Sequence, residues 1–185
     1  SLVYRARTGK GQFIDLSHLE SLICLVGDAV LDYTVNGRVG ERIGNRDPVH
    51  APQGVYRCRG DDEWISVTVT SDAEWQALCG VIGRPDLAGD PRFAGNSGRR
   101  RDQDSIDPII EDWTVRRERY QAMDLLQASG VSAGAVLDQD EALTSPQARS
   151  RGFLSVLAHP DGVHHPYIGT PAKFSRTPAG VRAPA

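Results

Sequence analysis

The chain has 185 residues, enough to bury the core of one domain or of one and part of a second. Its 39% hydrophobic and 24% charged residues are those of an ordinary globular protein, and a net charge of −3 gives no electrostatic case for a nucleic-acid or anionic-membrane partner. Cys24, Cys58 and Cys79 share no C-x-x-C spacing, so they read as reduced thiols in a reducing, cytoplasmic compartment, and the longest apolar stretch, Leu22 to Val26, is far too short to span a bilayer.

Arg7-Thr8-Gly9-Lys10-Gly11 reads as a basic turn that runs into a buried strand, Gln12–Leu16. This abrupt start has the look of the back portion of something longer. Ser17, with Glu20 three residues on, opens a helix in the S-x-x-E pattern. Leu19, Leu22, Ile23, Val26, Val30 and Leu31 then recur at helical spacing, which predicts one helix to about Val35 and an exposed apolar face prone to self-association. Residues 36–54 carry glycines, prolines and charges without periodicity and read as a linker or a functional loop. Val55–Arg59 and Trp64–Val69, joined by Gly60-Asp61-Asp62-Glu63, predict a β-hairpin. Ser71 or Asp72 caps a helix from Ala73 to Ile82, with Trp75, Leu78, Cys79 and Ile82 inward.

Asp90-Pro91-Arg92-Phe93 reads as a turn, and Arg99-Arg100-Arg101, followed directly by Asp102 and Asp104, as a solvated loop. Ile106, Ile109, Ile110 and Trp113 place a helix over about 104–113. Thr114 is expected to cap the next one, about 116–128, which Ser129-Gly130 ends. A short strand over 131–137 and a helix over 140–149 follow. A second hairpin, 153–158 with 163–168, closes around His159-Pro160-Asp161-Gly162. The expected organisation is therefore a strand-plus-helix segment over 1–36, a linker or lid over 37–51, an α+β domain over 52–178, and a Pro/Ala-rich return linker over 179–185.

Few residues point to chemistry of their own. Thr8-Gly9-Lys10-Gly11 lacks the G-x-x-x-x-G-K-[ST] spacing and precedes a predicted strand, so it reads as a turn. His159, Asp161 and His164-His165 suggest a metal at first sight, but neighbours on a strand face opposite ways, and the expectation is a surface hairpin with no metal. There is no G-x-S-x-G elbow and no cysteine beside an obvious base. Asn45, His50, Gln53 and Gly54 lie among glycines and prolines, as a substrate-covering loop requires, although an ordinary linker has the same composition. Asp72 is either a helix cap or a carboxylate at the lip of a cleft.

The order of several short motifs is more specific than any one of them. Arg7 to Ser17 comes first, then Gly54-Val55-Tyr56-Arg57-Cys58 with Trp64-Ile65, Asp72-Ala73-Glu74-Trp75 with Leu78, and Asp90-Pro91-Arg92-Phe93. Gly130 to Val136, Ser145 to Phe153, His159-Pro160 and Gly169 to Pro178 complete the series. In this order they resemble the family III CoA-transferases, the group that includes formyl-CoA transferase, carnitine CoA-transferase and α-methylacyl-CoA racemase. The resemblance implies an α/β protein: a Rossmann-like large domain built from both chain ends, a small α+β domain between, and two subunits threaded as interlocked rings. It also implies CoA thioesters and carboxylic acids as substrates and no permanently bound cofactor. Catalysis would run through an aspartyl-acyl anhydride whose Asp lies before the segment matching residues 1–12, so no catalytic residue is expected here and these residues alone are expected to be inactive. The glycine-rich loop that covers the reacting group in formyl-CoA transferase falls within 44–54. Here that stretch reads Asp47-Pro48-Val49-His50-Ala51-Pro52-Gln53, which implies a stiffer lid or a different acyl group. Asp72 is the nearest counterpart of the racemases' Glu, in surroundings more like a transferase's. The racemases' His-and-Asp pair would also lie upstream, which keeps a racemase as the alternative, with a non-catalytic dimerisation or binding module as a second.

Overall fold

The computed structural model describes residues 1–177 and 180; the expected return linker, and Pro178 before it, lie otherwise outside the described residues. The chain divides into two compact units, one of residues 1–44 and one beginning at Asn45.

The first unit is helical. Leu2–Thr8 (α1) ends on Gly9, whose left-handed φ of 71° stops it, so Arg7 and Thr8 of the expected basic turn close a helix and only Gly9 to Gly11 lie outside it. Gln12–Leu16 is not a strand: Phe13, Ile14 and Leu16 are exposed, and every described strand lies beyond residue 52. A strand persists only when its backbone is paired, and this unit contains no partner for it. Ser17 accepts the Glu20 amide and starts His18–Leu25 (α2), as its motif predicts. The predicted single helix breaks at Val26, and Gly27–Asn36 (α3) continues after it. Gly27 weakens the helix at that joint. No residue of α1, α2 or α3 is buried, and Leu19, Leu22 and Leu31 stand out to solvent.

The second unit carries the core. Gln53–Arg57 (β1) and Trp64–Thr68 (β2) form the predicted antiparallel hairpin, with Val55 opposite Ser66. β2 is the centre of a three-stranded sheet, flanked on its other edge by Ser132–Ala135 (β3). Its alternation buries Ile65 and Val67 and leaves Ser66 half-covered, the period-two pattern of a sheet with one covered face. Asp72–Val81 (α4) supplies Trp75, Leu78 and Cys79 to that face, capped by Ser71 through the Glu74 amide. The short Pro85–Ala88 helix (α5) and a 3₁₀ turn, Pro91–Phe93, add Leu87 and Phe93.

Several helices here depart from the sequence reading. Gly95–Arg101 (α6) encloses the basic run expected to be a solvated loop, and Arg99 is buried. Gln103–Thr114 (α7) presents Ile106, Ile110 and Trp113 inward as predicted. Thr114, however, ends α7 rather than capping the next helix: its hydroxyl donates to the carbonyls of Arg57 and Glu111. Arg119–Ala128 (α8) begins later than expected and buries Ala122 and Leu126. The predicted 140–149 helix is two, Gln139–Thr144 (α9) and Pro146–Ser150 (α10), because Pro146 has no amide to extend α9 and instead opens α10 under the Ser145 cap. Leu154–Ala158 (β4) and His164–Ile168 (β5) pair as the second hairpin.

Two glycines test the packing between these elements. A Cβ on Gly98 would come 2.6 Å from the Arg92 carbonyl oxygen, whereas one on Gly80 would meet nothing within 4 Å. Gly98→Ala is expected to destabilise by about 1–3 kcal/mol through overpacking. Gly80→Ala is expected to stabilise by ~0.5–1 kcal/mol through reduced backbone entropy. Denaturant midpoints of the two variants read the difference directly.

Candidate functional site: the anchored segment 45–54

The segment from Asn45 to Gly54 is held at four successive points. Arg46 donates to Asp104 at 2.6 Å and Asp107 at 2.7 Å on α7, and these carboxylates raise its pKa further. Asp47 turns its carboxylate back on its own chain and accepts the Val49 and His50 amides, each at 2.7 Å. Those two amides, His50 first, hold its carboxyl below the usual range. Ala51 donates its amide to Asn96 Oδ1 at 3.1 Å and its carbonyl accepts Arg99 Nε at 2.8 Å. The carbonyl of Gln53 accepts Gln103 Nε2 at 2.9 Å.

Arg99 is the hub of this arrangement. Its side chain is 1% exposed, yet every side of the guanidinium is met. Besides Ala51, it donates to Asp72 Oδ1 at 2.7 Å, to the Phe93 carbonyl at 3.3 Å and to Asn96 Oδ1 at 3.3 Å, and it lies 5.7 Å from the Trp75 ring centre. A buried charge persists only when its donors are paired in this way. Gly98, which lets α6 approach the Arg92 carbonyl, sits next to it in sequence.

The residues singled out in the sequence are partly brought together. His50 is half-buried and its Nδ1 lies 3.4 Å from Asn96 Nδ2, so it belongs to the Arg99 network. Asp72 joins the same network from the first turn of α4, where the helix dipole also favours a carboxylate. It is not the cap, a role Ser71 takes, and its side chain is 67% exposed, so it faces solvent while gripping Arg99. Gln53 takes part through its backbone carbonyl. Gly54 has a packing reason for its identity, since a Cβ there would lie 2.9 Å from the Tyr56 ring. Tyr56 in turn donates to Asp107 at 2.9 Å, and burial followed by that carboxylate drives its pKa far up. Asn45 is exposed in a turn, outside the network. Asn96, Arg99 and Gln103 were not legible as partners of this segment, because they lie far along the chain on α6 and α7, and neither were the α7 carboxylates that Arg46 reaches from within the segment. The Asp47-Pro48 pair is itself a turn signal, and it is the one available clue to the fold of the segment.

A cleft of about 560 Å³ lies elsewhere, lined by Arg59, Arg84, Arg116, Arg117 and Trp113 among others. Arg59, Arg84 and Arg116 are already paired with Glu118, Asp86 and Asp112, which removes most of its pull on an anion.

The sequence profile of CoA-transferase family III matches residues 1–185. The chain belongs to that family. It is 34% identical to an acetyl-CoA:oxalate CoA-transferase of Acetobacter aceti over 95% of this chain and 43% of that enzyme. It is 31% identical to a succinyl-CoA–D-citramalate CoA-transferase of Chloroflexus aurantiacus over 98% of this chain and 45% of that one. A CAIB/BAIF family protein from Brucella suis superposes with a TM-score of 0.82 at 29% identity, covering 100% of this chain and 47% of its own. The chain thus spans less than half the length of these family III proteins. Its α/β fold is the one the motif order implies.

Two measurements probe the anchored segment. Arg99→Met is expected to destabilise the protein by about 3 kcal/mol, since each buried acceptor left unpaired costs ~1–3 kcal/mol. Asp72→Asn should cost no more than ~1 kcal/mol, because that partner is largely solvated; equal losses in thermal melts would contradict the asymmetry. A second experiment uses pH. Because the folded-state pKa of Asp47 is lowered, its contribution is complete above the ordinary carboxylate pKa and fades as pH falls through the folded value. Amide exchange at Val49 and His50 should therefore quicken below about pH 4 relative to strand amides of β2, and an Asp47→Ala variant should exchange fast at every pH.

Proposed function

We propose that this chain is part of an acyl-CoA:carboxylate CoA-transferase, in which segment 45–54 covers the reacting acyl group. The match of family III to residues 1–185 carries the reading, and the acid-specific CoA-transferases among its relatives support it. On this reading a carboxylate of the large domain, an Asp that precedes the segment matching residues 1–12, attacks the thioester carbonyl. The C–S bond breaks and CoA leaves as thiolate, giving an aspartyl-acyl anhydride. The acceptor carboxylate displaces the donor acid to form a second anhydride, and the thiolate attacks its acceptor carbonyl, forming the new CoA ester and freeing the Asp carboxylate. Anhydride and thiolate both have to be kept from water. A cover tied down by Arg46, Asp47, Ala51 and Gln53 is suited to that task. The proposal includes residues 1–36 as the exit of the large domain, residues from about 52 as the small domain, and an interlocked homodimer in a reducing cytoplasmic setting. Three unpaired cysteines agree with that setting, two of them buried with thiols pushed up to about 11 by burial. No described helix is long and apolar enough to cross a membrane.

The test uses a full-length enzyme that contains this chain, an acyl-CoA and an isotope-labelled carboxylic acid. Label should appear in the CoA ester without exchange of the α-proton in deuterated water; α-exchange without label transfer would make the protein a racemase instead. In the same assay Asp47→Ala should raise thioester hydrolysis relative to transfer by about tenfold, equivalent to ~1.4 kcal/mol of lost discrimination against water. An unchanged ratio would remove the covering role. Residues 1–185 alone should show no turnover, and turnover there would place the nucleophile within them.

A further inference from the structure

We infer that the turn of the β4–β5 hairpin is a binding site for a divalent transition-metal ion, held by His159, Asp161 and His165. Three ligand atoms converge there: one imidazole nitrogen from each histidine and one carboxylate oxygen, all within 4.8 Å of one another. His159 Nδ1 lies 3.3 Å and His165 Nε2 3.6 Å from the same oxygen, Asp161 Oδ2. Ligands at ~2.0–2.1 Å around a tetrahedral ion stand about 3.3–3.4 Å apart, so both edges are close to the separation such an ion imposes.

Strand parity explains why the sequence reading set a metal aside at this hairpin. His164 and His165 face opposite sides of the hairpin, and the pair cannot share an ion. His165 lies opposite Leu157 in the register. His159 is two residues beyond Leu157, with its amide donating to the Val163 carbonyl at 2.8 Å. His159 and His165 are therefore diagonal neighbours on one face, within reach of each other. Their rings meet edge to face, 5.5 Å apart at 89°, an arrangement that lets nitrogens converge where stacking would separate them.

Asp161 is oriented for the same purpose. Its other oxygen, Oδ1, accepts the Val163 amide at 2.8 Å, which fixes the carboxylate and leaves Oδ2 aimed at the two imidazoles. His159 Nδ1 supplies an independent sign. It is shielded from solvent and has no hydrogen-bond partner; its contact with Asp161 is an ion-pair distance without hydrogen-bond alignment. A metal ion would satisfy that nitrogen. Two imidazoles and one carboxylate favour Zn(II), Co(II), Ni(II) or Cu(II) over Mg(II) or Ca(II), and three protein ligands leave one position for water. A two-stranded hairpin is only marginally stable by itself, and an ion joining its turn to β5 would staple it.

The experiment takes the full-length protein, stripped with a chelator, and titrates Zn(II) by calorimetry and Co(II) by visible absorption at neutral pH. One ion per chain is expected, with the intense bands of four-coordinate Co(II), proton release on binding and a raised melting temperature. His165→Ala and Asp161→Asn should each weaken binding by more than about tenfold, the scale of loss that even outer-shell changes produce. His164→Ala, on the opposite face, should bind as the parent does, and Mg(II) and Ca(II) should give no heat. The melting temperature of the metal-free variants confirms that they fold. Zn(II) affinity equal in the parent and His165→Ala, or loss of binding in His164→Ala, overturns the site.

Discussion

One buried guanidinium sets the geometry on which the candidate site depends. Taking an arginine out of water costs several kcal/mol unless its donors are met, and Arg99 meets that demand by drawing four segments together. The Ala51 carbonyl fixes the anchored segment, Asp72 fixes the start of α4, the Phe93 carbonyl fixes the 3₁₀ turn, and Asn96 fixes α6 itself. Trp75 closes one face. Because Asp72 keeps most of its side chain in water, the pair avoids the full penalty of two dry ions. The same carboxylate sits favourably at the positive end of α4, so one charge serves two local requirements.

This network also explains what the sequence disclosed and what it withheld. The β1–β2 hairpin, α4 and α7 were legible because each announces itself locally. β-rich runs flank a polar turn, Ser71 precedes an apolar stripe, and Ile106, Ile110 and Trp113 recur at helical spacing. Arg99 was misread for the opposite reason. Three consecutive arginines look solvated when counted, but a helix sends each one in a different direction, and only Arg99 turns inward. Asn96 and Gln103 were silent because their partners lie 45 and 50 residues away in the chain. Among the candidate residues, His50 and Asp72 do meet in the network, whereas Asn45 stays outside it.

The remaining misreadings share a physical cause. Gln12–Leu16 has the composition of a strand, yet composition states a preference and pairing decides it. The apolar stripe of α2 and α3 was visible as a period, and a period identifies a face without saying what covers it. Thr114 had the residue type of a cap, but the nearby Arg57 carbonyl captured its hydroxyl and the next helix began further on. In each case the local signal does not report whether a partner is present: Thr114 finds one distant in sequence, and Gln12–Leu16 finds none in its unit.

The anchored segment 45–54 shows how a loop is made rigid by its own sequence and its neighbours. A glycine-rich loop leaves much of its ordering entropy to be lost when substrate binds. Here Pro48 and Pro52 restrict the backbone in advance, and Asp47 locks the turn between them with two amide hydrogen bonds. Ala51 is then pinned on both its amide and its carbonyl. The ordering cost is therefore met during folding, by a core that already holds Arg99 in place. In the proposed covering role such a segment gives up adaptability to differently shaped acyl groups. In return, on the proposed reading, it shields a reactive intermediate from water without depending on substrate to assemble it.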